Sequence, residues 1–442
     1  DIKDSKNVII LISYEGSVNS LLTKSGVYST IQVPLPSTET RKEFIDFISG
    51  VKGNGIKRYA ELEDGLTNDE FVRLSNGLRL SDLEQLYKSK INQGISRKDI
   101  QKMKSNTIRE IAGGLVEVIS PDEGFESIAG LDNVKEYFIR LKWMFQNGSP
   151  SMPYAMILAG VPGTGKSKLC GTLAKELDIP LLILRNLHGP YVGQSEANLE
   201  RVLKVVDSMS PCVVVIEEID QSIGKRNTGG MSGDSGTTDR MSQRFWEALG
   251  SNKNRGRTLW IGTSNRPDLL DAAMLDRFQV IIPFLHPTPK EVKELLPVLA
   301  SQINRTFSDD VNLEQIANLT NLYLPTVRGL NEIITIASQM ADYETGQINS
   351  VIKQNNLYNS AMDYKITYDL IQHEYIALKA IEMVSFSSLL PWMSFNGLRS
   401  DIQIPSYLIS IVDSTTGYIN PKLLSERLRA LEDEMFYKRA RR

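Results

Sequence analysis

The chain lacks most of what would stabilise or tether it from outside its own packing. Only two of its 442 residues are cysteine, Cys170 and Cys212, and both lie in apolar stretches. That excludes a disulfide scaffold and reads as two buried thiols in the cytosol or an equivalent reducing compartment such as a plastid stroma. An excess of one charge is also missing. Lys and Arg number 50 against 53 Asp and Glu, a formal net charge of −3, so there is no chain-wide footprint for a nucleic acid. Basic residues gather only at Lys438-Arg-Ala-Arg-Arg442, which reads as a solvated tail, with a polyanion contact as the alternative. No apolar run is long enough to span a membrane, and no secretory leader is visible. A starting methionine is absent too. The chain opens at Asp1 with a strand-like run close behind, so it reads as a fragment or a processed form.

What is present is an ordinary globular composition, 41% hydrophobic and 23% charged, at a length that suggests about three domains. The most informative stretch is Gly160-Val-Pro-Gly-Thr-Gly-Lys-Ser167, which reads G-x-x-x-x-G-K-S. An apolar run, Ala155–Ala159, precedes it. A helical pattern with Leu169, Leu173, Ala174 and Leu177 on one face follows it. In that context Gly160, Pro162, Gly163, Thr164, Gly165, Lys166, Ser167 and Lys168 form a phosphate-binding loop. The glycines let backbone N–H groups turn toward phosphate oxygens, and the helix N-terminus favours an anion. Lys166 reaches the β- and γ-phosphates, and Ser167 is placed to ligate Mg²⁺.

Apolar strands alternate with helical patterns over residues 153–285, which predicts an α/β fold with a parallel sheet and helices on both faces. The expected strands are Ala155–Ala159, Leu181–Leu184, Val213–Ile216, Thr258–Ile261 and Val280–Ile282. Pro287 and Pro289 mark a boundary, after which the pattern is helical to about Tyr343. Asn227–Thr238 reads as a surface loop. In the tail, Tyr368–Val384 and Leu423–Tyr437 look helical. Phe386, Leu389, Leu390, Trp392 and Phe395 read as core or subunit-contact residues.

The N-terminal part contains an echo. Lys6–Ser13 and Ile31–Pro36 resemble Arg257–Ser264 and Ile281–His286 in type and position, and each pair leads into a helix, Lys42–Val51 or Lys290–Leu299. A second helix of the first copy opens on Ser81-x-x-Glu84, a capping-box pattern, with Leu83, Leu86 and Tyr87 on one face. This suggests a duplicated domain.

Two further motifs carry chemistry. Cys212-Val-Val-Val-Ile-Glu-Glu218 describes a buried strand that delivers carboxylates at its C-terminal edge, where ligands bind in open α/β sheets. Glu217 is assigned to the metal, usually held through water, and Glu218 to the attacking water. Leu259-Trp-Ile-Gly-Thr-Ser-Asn265 ends another strand on an amide that can contact the γ-phosphate or that water. A turn role for Asn265 before Arg266-Pro267 is the alternative.

The order of these motifs, continued by Leu270-Asp-Ala-Ala-Met-Leu-Asp-Arg-Phe278, resembles an AAA+ ATPase module over about Phe125–Tyr343. Within that family the chain is most similar to the hypothetical chloroplast and cyanobacterial reading-frame AAA+ proteins, which carry a degenerate first module. Gly77–Glu84, Ile108–Val118 and Gly233–Thr238 support that closer resemblance. It implies a P-loop NTPase domain at 119–286 and a helical lid at 287–345. It further implies the C-terminal part of a degenerate AAA+-like module at 1–118 and a helical extension at 346–442. ATP and Mg²⁺ are the implied cofactors. Ile128 and Gly130, in the segment Phe125–Lys135, would lie near the adenine, and Asn265 would be a first nucleotide sensor. Arg277 would be an arginine finger acting on a neighbouring subunit, with Val280 where many relatives carry a second. Arg328 would be a second sensor in the lid, with an ordinary exposed helix arginine as the alternative. Tyr191, Val192 and Gly193 would form a pore loop. In the first module Glu15 and Tyr28 fall near the sensor and finger positions, so that half should not hydrolyse ATP. The resemblance thus implies a homo-oligomeric ring, a hexamer by analogy, that remodels or translocates a protein substrate. A slowly hydrolysing ATP-gated scaffold is the alternative. A nucleic-acid-acting machine is disfavoured by the net charge.

Overall fold

A computed structural model describes residues 35–49, 60–91, 93–112, 114–185, 194–222, 243–250, 256–270, 272–402 and 404–440. The strands expected at 6–13 and 31–34, Glu15, Tyr28, the pore-loop residues Tyr191, Val192 and Gly193, and the 227–238 loop lie outside them.

The chain begins, in these residues, with four helices: α1 (Thr38–Ile48), α2 (Asn68–Leu74), α3 (Leu80–Ser89) and α4 (Arg97–Ala112). Their apolar faces close over one small core that includes Ile45, Phe71, Leu83, Leu86 and Tyr87. The helix start expected at Ser81 lies two residues earlier. Arg79 is the N-cap, and Asp82 Oδ2 accepts its backbone N–H at 3.0 Å. The turn at Gly77 sets this entry, with φ +86°, a backbone conformation that only glycine adopts readily. A Cβ there would also stand 2.3 Å from the Ser208 carbonyl oxygen. Asn76 beside it donates to the carbonyls of Asp207, Ser208 and Ser210 at 3.1–3.3 Å, so this corner docks the helical unit on the next domain.

That domain is built from β1 (Val116–Ile119), α5 (Asp132–Gln146), β2 (Ala155–Gly160), α6 (Lys166–Glu176), β3 (Leu181–Leu184) and α7 (Gln194–Met209). It continues through β4 (Cys212–Ile216), α8 (Ile219–Ser222), β5 (Thr258–Ser264), α9 (Ala272–Leu275) and β6 (Val280–Phe284). The strand order is β1-β3-β4-β5-β2-β6. All pairs are parallel except β1 with β3, where Val116 lies opposite Leu184. Every residue of β2, β4 and β5 is buried. Helices cover both faces, which is why these strands read as unbroken apolar runs. Val134, Phe138, Leu169 and Leu173 pack on one face; Leu199, Val202, Val206 and Phe245 pack on the other. Antiparallel β1 was not expected as a strand, and it straddles the boundary drawn at 118.

The helical unit after β6, expected as a lid, consists of α10 (Pro289–Gln302), α11 (Leu313–Asn321), α12 (Val327–Thr345) and α13 (Gln354–Asp363) around a core of Leu296, Ile316, Ile334 and Leu357. Its packing runs on past residue 345, where the sequence reading ended it. Ile352 pairs with Phe307, and α13 closes the core. Beyond it, α14 (Leu370–Glu382) and α15 (Pro421–Ala440) form a pair pinned by Arg427, which donates to both oxygens of Glu374 at 2.7 and 2.9 Å. Leu389, Leu390 and Trp392 are buried in or beside this unit, as expected of core residues. Phe386 and Phe395 are exposed instead. The Arg140 guanidinium lies 4.3 Å from the Phe395 ring centre. Among the described residues no helix is long and apolar enough to cross a membrane. Cys170 and Cys212 are free and buried, and burial pushes both thiols up to about 12.

Candidate functional site

The loop between β2 and α6 turns on three glycines with positive φ: Gly160 at +139°, Gly163 at +75° and Gly165 at +94°. At Gly160 the constraint is also steric, since a Cβ would lie 2.1 Å from the Phe284 carbonyl oxygen of β6. Gly165 is the N-cap of α6 and offers no side chain to its first N–H groups. Those donors therefore remain available to an anion. Thr164 Oγ1 donates to the Val161 carbonyl at 2.7 Å and holds the loop's curvature.

Lys166 is 7% exposed, and its Nζ donates to the carbonyls of Gly160 and Val161 at 3.0 and 2.8 Å. Burial pushes this ammonium down to about 7, with Asp220 acting in the opposite direction. Asp220 was not singled out from sequence. It is 3% exposed, and its Oδ1 has no hydrogen-bond partner among the described residues.

Ser167 and Glu217, both expected at the metal, are brought together: Ser167 Oγ donates to Glu217 Oε1 at 3.0 Å. Among the described residues no cluster of three or more His, Cys, Asp or Glu side chains could hold a metal ion. The pair fits a cation that keeps most of its other ligands from phosphate and water, the habit of Mg²⁺. Glu218 follows with φ +48°, uncommon for a non-glycine residue, and its N–H donates to Thr263 Oγ1 of β5 at 3.4 Å. It is exposed at the C-terminal edge of the sheet, and Asn265 is half-buried just beyond β5.

A cavity of about 300 Å³ opens beside the loop. Its walls include Ile128, Gly163, Thr164, Gly165, Lys168 and Arg328, so the pre-loop segment, the loop and the lid meet there. Gly160, Pro162, Lys166, Ser167 and Gly130 are not among the lining residues; Gly130, at φ +69°, lies against the wall residue Glu291. Glu291 itself accepts from Leu131 N at 3.1 Å and Thr288 N at 2.9 Å. Arg328 joins the lid to the loop, its N–H donating to the Gly163 carbonyl at 3.1 Å. Lys168 pairs with Glu123 at 3.2 Å. Arg277 does not line the cavity. It is exposed in the turn between α9 and β6, while Val280 is buried as the first residue of β6.

Besides Asp220, sequence reading missed two features here. Arg185, one residue past β3, donates to Glu217 Oε2 at 2.7 Å. The other is a buried aromatic group behind the loop: Tyr368 stacks on His373 at 4.1 Å, and His286, which lines the cavity, lies 5.4 Å from His373. Burial pushes both histidines down to about 4. His286 Nδ1 donates to the Pro325 carbonyl at 3.0 Å, and Asp369 pulls His373 partly back up. Because the folded values lie below the unfolded 6.5, the unfolded chain takes up these protons first. Stability is therefore complete above about pH 6.5 and falls as pH drops toward 4, by on the order of 3 kcal/mol for each histidine. Guanidinium melts at pH 7, 5.5 and 4.5 check this, and His373→Phe should flatten the slope.

Residues 156–285 match the model of the ATPase family associated with various cellular activities (AAA), so the chain carries an AAA ATPase domain. The cell division cycle protein 48 homolog of Archaeoglobus fulgidus is 25% identical over 72% of this chain and 46% of its own length. The uncharacterized AAA domain-containing protein ycf46 of Trieres chinensis is 29% identical over 58% of this chain and 56% of its own length. The chain thus spans about half of each of these relatives. The solved FIGL-1 AAA domain in complex with ADP superposes with a TM-score of 0.51 at 22% identity, covering 64% of this chain and 97% of that one. The fold is that of an α/β P-loop NTPase.

Proposed function

We propose that this chain is a Mg²⁺-dependent ATPase that works as a homo-oligomeric ring, a hexamer by analogy, and remodels or translocates a protein substrate. The observation that carries the reading is the convergence of Lys166, the Ser167–Glu217 pair and Arg328 on one glycine loop at the C-terminal edge of a parallel sheet. The loop amides and Lys166 hold the phosphates, Ile128 and the Gly130 turn flank the base, and Arg328 senses nucleotide from the lid. Ser167 and Glu217 would hold Mg²⁺, which when bound would neutralise charge on the phosphate oxygens. Glu218 orients and deprotonates the attacking water, and Asn265 contacts the γ-phosphate. Arg277 acts on the neighbouring subunit's nucleotide, and Tyr191, Val192 and Gly193 grip the substrate. The ADP complex of the FIGL-1 domain and the AAA match over the loop and both carboxylates support nucleotide as the ligand.

A second reading, a slowly hydrolysing ATP-gated scaffold, draws support from Glu217 being tied to Arg185 and from Val280 at the second finger position. The net charge of −3 counts against a nucleic-acid substrate. Phosphate release from ATP should be fast in Mg²⁺ and fall to background in EDTA. Release that ignores EDTA contradicts the metal role given to Ser167 and Glu217.

A further inference from the structure

Arg185 sits where no motif assigns a cation. Its Nη1 donates to Glu217 Oε2 at 2.7 Å, while Glu217 Oε1 accepts from Ser167 at 3.0 Å. Both oxygens of the metal-side carboxylate are therefore engaged, one by the hydroxyl that would share the metal and one by a permanent positive charge. The guanidinium has a second carboxylate as well. Its Nε and Nη2 donate to Glu117 Oε2 at 3.2 and 3.0 Å. Glu117 stands on antiparallel β1, whose register places it opposite Ile183, and the Arg185 N–H donates to the Leu115 carbonyl at 2.9 Å. The edge strand thus holds Arg185 between two acids, one belonging to the site and one not.

We propose that Arg185 competes with the divalent cation for Glu217, and that Glu117 draws it aside, so that the Glu117–Arg185–Glu217 relay sets the Mg²⁺ concentration at which the site loads. The inference rests on the nucleotide-site reading above. The physical argument is one of charge. A carboxylate hydrogen-bonded to a guanidinium is a weaker ligand for a second cation, and the guanidinium's charge repels that cation at short range. Glu117 offers Arg185 somewhere to remain when Glu217 turns to the metal. Arg185, Glu117 and Glu217 are all partly exposed, at 45%, 48% and 31%. Solvent therefore limits the effect to about 3- to 5-fold in metal affinity, and it should shrink as salt is raised.

The test is a titration of the ADP-saturated full chain with Mn²⁺, with free Mn²⁺ read by electron paramagnetic resonance. Arg185→Gln should tighten Mn²⁺ binding about 3- to 5-fold, and Glu117→Gln, which leaves Arg185 wholly on Glu217, should weaken it. The opposite signs separate competition from a merely structural role, in which both variants weaken binding. If wild-type chain binds ADP and Arg185→Gln leaves Mn²⁺ affinity unchanged or weaker, the inference is overturned and the nucleotide-site reading stands. If wild-type chain fails to bind ADP, the nucleotide-site reading falls and takes the inference with it.

Discussion

Glu218→Gln should leave ATP binding intact and lower turnover by about 10²- to 10⁴-fold, the range of a lost general base. The substitution keeps side-chain length and the left-handed backbone at φ +48°, so the strand end is not rebuilt. The contact to Thr263 Oγ1 comes from the Glu218 backbone N–H and survives the change. What is lost is the carboxylate that, on the proposed reading, accepts a proton from water. Glu217 is not expected to replace it, since it pairs with Ser167 and on the proposed reading serves the metal. Single-turnover phosphate release beside equilibrium binding of a fluorescent ATP analogue separates the two effects. A variant that loses binding and turnover together would mean that Glu218 supports the loop and does not act on water.

Arg277→Ala should reduce turnover by about 10³-fold or more while leaving nucleotide affinity nearly unchanged. The residue is exposed in a turn whose neighbour Phe278 is 5% exposed and anchors it. Truncating Arg277 therefore removes a reaching cation without disturbing the core. Arg277 is exposed, and on the proposed reading it reaches the nucleotide of a neighbouring chain. Mixing makes this testable. Arg277→Ala chains keep an intact Glu218, and Glu218→Gln chains keep an intact finger. An equimolar mixture of the two inactive proteins should recover about a quarter of the wild-type rate if subunits assort at random in a closed ring. No recovery would place the arginine's action within its own chain or remove it from the reaction.

The sheet and the glycine loop after β2 were legible in the sequence for a simple reason. Strands covered on both faces must be apolar throughout, and the loop needs glycine where φ is positive and where Phe284 approaches. Strand β1 was not legible because it is a short edge strand. Its burial alternates, Glu117 faces water, and it follows directly on α4, so no apolar run marks it. The lid was cut short at a real signal of limited meaning. Gly346 at φ +67° ends α12, but a helix end is not a domain end, and Ile352 returns the chain to the lid core. The helix start at Arg79 escaped because an arginine gives no capping signal, whereas the Ser81–Glu84 pattern did. At the site, residues in ordered motifs could be placed by spacing. Arg185, Asp220 and the His286–His373 pair could not, because their significance arises only when β1, β3, α8 and α14 are folded together. The position of Arg185 immediately after a strand at the ligand edge was the one available hint.

The most direct test of the central claim, an ATPase completed by its neighbour, is the specific rate of ATP turnover against chain concentration for wild type and Arg277→Ala. The account predicts that the wild-type rate per chain rises with concentration to a plateau as the ring assembles, and that the variant stays low throughout. A wild-type rate per chain that is flat across the range and matched by Arg277→Ala would contradict it.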